Sequence, residues 1–275
     1  MKNMLRIEFS RALKNKFLLL AILLGCVITV SHFVQNIVPQ LNWHTWWTFK
    51  IDQDMYPNSV FNQWIGESSA SMQQMLYYLM LPILAALPFG DSFYLDMKTG
   101  YIKNVFIRSK KSQYYAAKYL STFVAGGIAV TVPLLLNLAL SASFVPSLLP
   151  DPISGTYVVV EANMGSGLFL THPYVYTFLY LALDFVFAGL LAGISLSISF
   201  FVSNRFIVLL APFIGYLVFF AFTELTKHSI LDPVYFLMPL QIVPASPIVI
   251  LVEAILLAAA TMGVFFYKGI KDETF

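Results

Sequence analysis

Too little charge is present to keep this chain in water. Asp, Glu, Lys and Arg make up 11% of its 275 residues, whereas a soluble domain carries about 25%. Hydrophobic residues make up 59%, and the mean hydropathy is +0.75. Cysteine is nearly absent: Cys26 stands alone, so no intrachain disulfide can form. Leu23-Leu24-Gly25-Cys26 loosely resembles a lipoprotein cleavage box, but the apolar run continues past Cys26 to Val30, as a retained membrane helix requires. No Gly-x-x-x-x-Gly-Lys-Ser/Thr phosphate loop occurs, so any ATP chemistry belongs to another chain. There is no His-Glu-x-x-His, and the four histidines (His32, His44, His172, His228) are scattered without metal spacing. No Ser-His-Asp set can be argued. The chain reads as a non-enzyme with no cofactor of its own.

Ionisable residues are just as scarce inside the apolar stretches. Asp184 and Glu253 lie within them, Asp91 and Glu224 at their ends, and no Lys or Arg lies inside to pair with them. Charge in a bilayer is costly and often functional, which makes Asp184 and Glu253 candidates for a transport path or a subunit interface. Two plainer readings stay open: Glu253 near the outer end reaches water, and Asp184 is capped by Ser, Thr or Tyr of a neighbouring helix.

What is present is six apolar stretches, at about 17–35, 75–93, 119–144, 174–202, 206–223 and 248–267. At about 1.5 Å per residue, each can cross a hydrocarbon core of about 30 Å or come close to it. Pro82, Pro88 and Pro133 inside the second and third predict a packed bundle with kinks, where neighbours satisfy the freed carbonyls. Gly189-x-x-x-Gly193 permits close helix contact. The cations are one-sided. Of 16 Lys and Arg residues, 14 precede the first stretch, separate the second from the third, separate the fourth from the fifth, or follow the sixth; only Lys50 and Lys227 fall in the alternate loops. Short basic loops resist translocation, so both termini are expected in the cytosol.

Residues 1–16 read as a basic amphipathic helix lying on an anionic leaflet, with Leu5, Phe9 and Leu13 sharing one face. Residues 17–275 read as one six-helix transmembrane domain. The outer loop 36–74 holds all four tryptophans (Trp43, Trp46, Trp47, Trp64) and is expected on the headgroup surface. Loop 145–173 reads as an irregular lid. Residues 224–247, apolar but broken by Pro233, Pro239, Pro244 and Pro247, suggest two re-entrant half-helices before the sixth span.

The most specific segment is the inner connector 91–118, DSFYLDMKTGYIKNVFIRSKKSQYYAAK. Tyr101, Ile102, Val105 and Phe106 share one helix face there, between Asp96-…-Gly100 and Arg108. An apolar stripe on such a connector either lies back on the chain's own helix ends or inserts into a partner. With Asp96, Gly100, an apolar pair, Arg108 and Lys118 in this order, the connector resembles that of the permease subunits of ABC-2 type ATP-binding cassette transporters. The resemblance spans the whole chain: basic N-terminal helix, six spans, large first outer loop, broken segment before the sixth span. It departs in having Asp96 where Glu is usual and in the added Lys110-Lys111.

The resemblance implies an all-α polytopic permease of a bacterial inner membrane. Asp96, Gly100, Tyr101, Ile102, Val105, Phe106 and Arg108 would form a coupling helix docked on a separate ATPase, which binds the ATP and Mg. A second permease copy or a homologous permease would complete the assembly among membrane lipids, with no nucleic acid partner. The transported, more specifically exported, substrate would be an amphipathic peptide, a lipid-like or a drug-like compound. A non-transporting sensor or assembly factor, or a membrane-embedded enzyme, are the alternatives.

Overall fold

A computed structural model describes residues 2–41, 58–68, 71–151, 159 and 162–271. Among them there are helices and no strand. In chain order they are α1 (Lys2–Leu13), α2 (Lys16–Leu41, with a π-helical turn at Phe33–Ile37), α3 (Val60–Gln63), α4 (Met72–Ala86), α5 (Ser92–Lys98), α6 (Tyr101–Arg108), α7 (Lys111–Phe144), α8 (Ser166–Thr171), α9 (Pro173–Ile198), α10 (Arg205–Leu225), α11 (Pro233–Phe236) and α12 (Pro247–Lys271). Five are long and apolar enough to cross a membrane: α2, α7, α9, α10 and α12. The chain is an all-helical, multi-pass membrane protein. The second apolar stretch differs from expectation. It is a helix of 15 residues, about 22 Å long, which ends at Ala86 and turns through Pro88 before α5 begins. Residues 91–93 are therefore connector rather than span.

The seam between α7 and α9 is the centre of the bundle, with α4 against both. Small residues let the backbones close. A Cβ on Gly126 would meet Ala192 Cβ at 2.9 Å, the Ala85 carbonyl at 2.9 Å and the Ala188 carbonyl at 3.2 Å. The Gly189-x-x-x-Gly193 pair receives the rings of Phe123 and Tyr119 from α7. On the other side of α7, Gly25 of α2 makes room for the Pro133 ring. Neither Pro82 nor Pro133 ends its helix. Tyr77 Oη donates to the Val130 carbonyl, next to the Ala129 carbonyl that a proline at 133 leaves without its usual donor. By contrast α2, α10 and α12 present apolar faces outward, as lipid-facing helices do; Leu23, Val27, Phe206, Val218, Leu251 and Leu256 are all exposed.

All described Lys and Arg residues except Lys227 lie at one end of the bundle, called here the basic end. At the opposite end the described part of the first loop packs into the bundle. Trp64 is fully buried, with Gly66 lying on its ring. Ile65 N–H donates to Asn137 Oδ1 at 2.9 Å, and Gln74 Nε2 donates to the Gly66 carbonyl at 2.9 Å. This corrects the headgroup expectation for Trp64: the loop around it plugs the bundle because a polar residue in α7 satisfies its backbone. Trp43, Trp46 and Trp47 lie outside the described residues.

Among its described residues the lid carries the helix α8, entered through Gly165 at φ +75°. The broken segment forms a 3-10 turn at Ser229–Leu231 and the single turn α11, not two half-helices. Its apolar residues Val234, Phe236, Leu237, Met238 and Leu240 are buried in the main core. Gln241 staples it to the lid, accepting from Met164 N–H and donating to the Met164 carbonyl, both at 2.8 Å, and to Tyr176 Oη at 2.9 Å. Four prolines in so short a stretch leave too few backbone donors for longer helices.

Candidate functional site: an ion-pair node at the basic end

The N-terminal helix buries a different face from the one its apolar spacing suggests. Met4, Glu8 and Ala12 point into the protein, while Leu13 is exposed and Leu5 and Phe9 are half-buried. The reason is electrostatic. Glu8, fully buried, meets the equally buried Lys118 of α7, Nζ to Oε2 at 2.6 Å. Lys118 Nζ also lies 2.6 Å from Asp96 Oδ2 of α5. Arg11 closes the ring, with its guanidinium 2.7 Å from Glu8 and 2.5 Å from Asp96. Tyr114 Oη donates to Asp96 Oδ2 at 2.7 Å.

Two carboxylates and two cations thus form a neutral quartet joining α1, α5 and α7. Bare ions at this depth would cost several kcal/mol each; paired and hydrogen-bonded, they are tolerated. Burial alone would push the Asp96 carboxyl up, but Lys118 and Arg11 outweigh it and hold the group below the ordinary carboxylate range. Aromatic rings line the ring of charges: Arg11 lies 4.4 Å from the Tyr101 centroid and Lys118 4.6 Å from that of Phe89.

The seven proposed coupling residues are brought together, but not with one role. Asp96 belongs to the quartet. Gly100 takes φ +71° at the start of α6, a left-handed turn that favours glycine. Tyr101 is a platform for Arg11. Ile102 and Val105 are buried against Met4, Phe93, Tyr114 and Phe265, and the half-buried Phe106 packs edge-to-face on Tyr114 and tilted on Tyr115. Of the two readings of the stripe, the structure shows the first: it lies back on the chain's own helices. This corrects Ile102 and Val105 as exposed anchors. A helix of eight residues is not stable alone and needs that packing. The outward face of α6 is Lys103, Asn104, Ile107 and Arg108, with Ile107 82% exposed. Sequence reasoning missed Ile107 as the exposed apolar residue of α6, and missed Glu8 and Lys118 as a pair. The available signal for Glu8 was its place as the lone acid in an otherwise basic helix.

Asp184 and Glu253 are not part of this site. Asp184 is fully buried in the middle of α9, and Tyr78 Oη of α4 donates to its Oδ2 at 3.4 Å; Oδ1 has no hydrogen-bond partner. A tyrosine on a neighbouring helix is what caps it. Glu253 is half-buried on α12, with Oε1 unpartnered. Two turns before Asp184, Thr177 Oγ1 donates at 3.1 Å to Glu67, a buried carboxyl group in the turn after Trp64. Burial pushes the Glu67 carboxyl up to about 8, against the bond from Thr177.

An unfolded Glu67 ionises near 4.5 while the folded one stays protonated, so folding stability falls as pH rises from 4.5 to about 8. Glu67→Gln keeps the acceptor for Thr177 and cannot ionise. Its thermal midpoint should match the wild type at pH 4.5 and exceed it at pH 8, with about 2–4 °C for each kcal/mol recovered. An offset that does not change across that range counts against a protonated Glu67.

Among the described residues no group of three or more His, Cys, Asp or Glu is placed to hold a metal. No protein-family model matches the chain, and no curated protein matches it.

Proposed function

We propose that this chain is the permease subunit of an ABC-2 type transporter, driven by ATP hydrolysed on a separate subunit that docks on α6. The observation that carries this reading is the linkage at the basic end. The short helix α6 presents a basic, apolar-centred face outward and follows directly on α5, whose Asp96 joins Lys118 of α7 and Glu8 and Arg11 of α1 in the quartet, while Tyr101 of α6 itself lies against Arg11. On this reading a push on α6 is passed to the helices it packs on. Beneath it Phe93, Phe200, Tyr115 and Phe265 interlock with centroids 4.7–5.8 Å apart, joining the connector to the ends of α7, α9 and α12. On this reading α4 is the sixth span, the basic end is cytosolic, and a second permease completes the path. Export of an amphipathic peptide, lipid-like or drug-like compound is the transport class proposed.

The docking face is Ile107 ringed by Lys103 and Arg108, suited to an apolar slot with an acidic rim. A photo-crosslinking residue at Ile107 should capture a protein whose peptides include a phosphate-binding loop. Ile107→Asp should weaken retention of that ATPase by about 2 kcal/mol, roughly thirtyfold, with the permease still folded. Undiminished retention together with unchanged transport would place the contact elsewhere.

Orientation is tested in a Cys26→Ser background. A cysteine replacing the exposed Lys227 should react with an impermeant maleimide in intact cells, and one replacing the exposed Ser112 should react only after lysis. Labelling of both in intact cells defeats the topology.

A further inference from the structure

Where α1 meets α2, an open cleft of about 490 Å³ is walled by the α1–α2 joint, the turn leading into α5 and the start of α10. It gathers Arg11, Lys14, Lys16 and Arg205 around a single carboxylate, Asp91. Arg205 is paired with Asp91, and its guanidinium lies 5.1 Å from the Phe17 centroid. Arg11 is spent on the quartet. Lys14 and Lys16 are exposed, and neither makes an ion pair among the described residues. The cleft therefore keeps two uncompensated positive charges.

Its frame is fixed rather than loose. Asn15, between the two lysines, caps α2 by accepting from Phe17 N–H at 3.1 Å and donates Nδ2 to the Pro88 carbonyl at 2.6 Å. One lining group is unsatisfied. Ser92 is 5% exposed, and its buried hydroxyl has no hydrogen-bond partner. A buried donor left unpaired is costly, so a ligand acceptor there would relieve it.

Two helices leave this cleft with apolar faces open to the bilayer. Leu20 and Leu24 lie along α2, and Phe206 and Leu210 along α10. Both helices flank α4. A phosphate in the cleft would thus sit where two apolar, outward-facing helices begin.

We propose that this cleft binds the phosphate of an anionic phospholipid, with Lys14 and Lys16 supplying charge, Ser92 a hydroxyl donor, and the faces of α2 and α10 seating the acyl chains. This differs from general attraction of a basic helix to a membrane, because only the residues at the joint contribute. A juxtamembrane lysine strengthens binding to anionic lipid about fivefold, so the pair contributes about 25-fold.

The test uses the full chain, reconstituted from equimolar phosphatidylglycerol and phosphatidylcholine, with retained lipids counted by native mass spectrometry. Phosphatidylglycerol should be enriched over phosphatidylcholine. Lys14→Gln/Lys16→Gln should abolish most of that enrichment, and Ser92→Ala should lower it to a smaller extent. Lys2→Gln/Arg6→Gln removes equal charge from the exposed face of α1 and should leave it intact. Equal losses from the two double variants would reveal diffuse attraction and overturn the site. Displacement of the lipid by millimolar inorganic phosphate would reassign the cleft to free phosphate and overturn the lipid assignment. No enrichment in the wild type defeats the proposal outright.

Discussion

Lys118→Met should destabilise the protein by about 3–5 kcal/mol, the largest loss expected from any single change at the basic end. The side chain is fully buried, and its Nζ is 2.6 Å from carboxylates on two other helices. Methionine fills nearly the same volume, so the cost is not a cavity. It is the charge left behind: Glu8 and Asp96 would face each other with only Arg11 between them. Removing the right partner should undo most of this. In Lys118→Met/Glu8→Met, the Arg11–Asp96 pair remains balanced and no buried carboxylate is orphaned. The double variant should therefore recover most of the loss, a coupling of the size seen for directly interacting groups, about 0.5–3 kcal/mol. Lys118→Arg should not rescue, because a planar fork cannot occupy the point between two carboxylates that an ammonium fills. Thermal unfolding in one detergent reads these three together with Glu8→Met, the second single variant of the cycle. A double variant that is additive, or a single variant costing under about 1 kcal/mol, would show that the quartet is not a coupled unit.

The same quartet shows where the sequence was legible and where it was not. Hydropathy marks the spanning helices because lipid imposes one requirement on a long run of residues. α9, α10 and α12 begin and end within a few residues of the apolar stretches at 174–202, 206–223 and 248–267. α7 is longer than the apolar stretch at 119–144, since Lys111–Lys118, bounded by two lysines, continue the helix. There Lys118 is neutralised by acids about 110 and 22 residues away along the chain, and no local pattern encodes such a pairing. Tertiary charge pairing also overrode the apolar spacing of Leu5, Phe9 and Leu13 in α1. The connector helix α6 was legible in place and period. Its polarity was not, because an amphipathic stripe has the same spacing whether it faces the chain or a partner. Ile107 sits outside the stripe and is the residue left open. Trp64 failed for a related reason: tryptophan favours interfaces on average, but Asn137 of α7 offers its segment a hydrogen bond inside the bundle.

Gly126→Ala should cost about 1–3 kcal/mol although it adds a single methyl group and alanine is the better helix former. The site lies where α4, α7 and α9 meet. The new Cβ would fall 2.9 Å from the Ala85 carbonyl oxygen and 2.9 Å from Ala192 Cβ. Those neighbours are backbone and a methyl fixed directly to it, so no rotamer change can make room; one helix must move. Gly127 offers a graded comparison, since its nearest neighbour is the Phe185 ring at 2.6 Å, a side chain with two torsions available for adjustment. Gly127→Ala should therefore cost less than Gly126→Ala. Gly215 in α10 has nothing within 4 Å of the built Cβ, and there the same substitution should stabilise by about 0.5–1 kcal/mol through helix propensity. One chemical change thus has opposite expected signs at two helical positions, decided by what surrounds them. If all three variants shift the unfolding midpoint alike, the close approach of α4, α7 and α9 at Gly126 is not what holds the bundle centre. If only Gly126→Ala and Gly127→Ala lose stability, in that order, the seam is a rigid contact. On the proposed transporter reading, motion driven from α6 would then have to move α7 and α9 as one body, leaving the contacts of α10 and α12 to accommodate it.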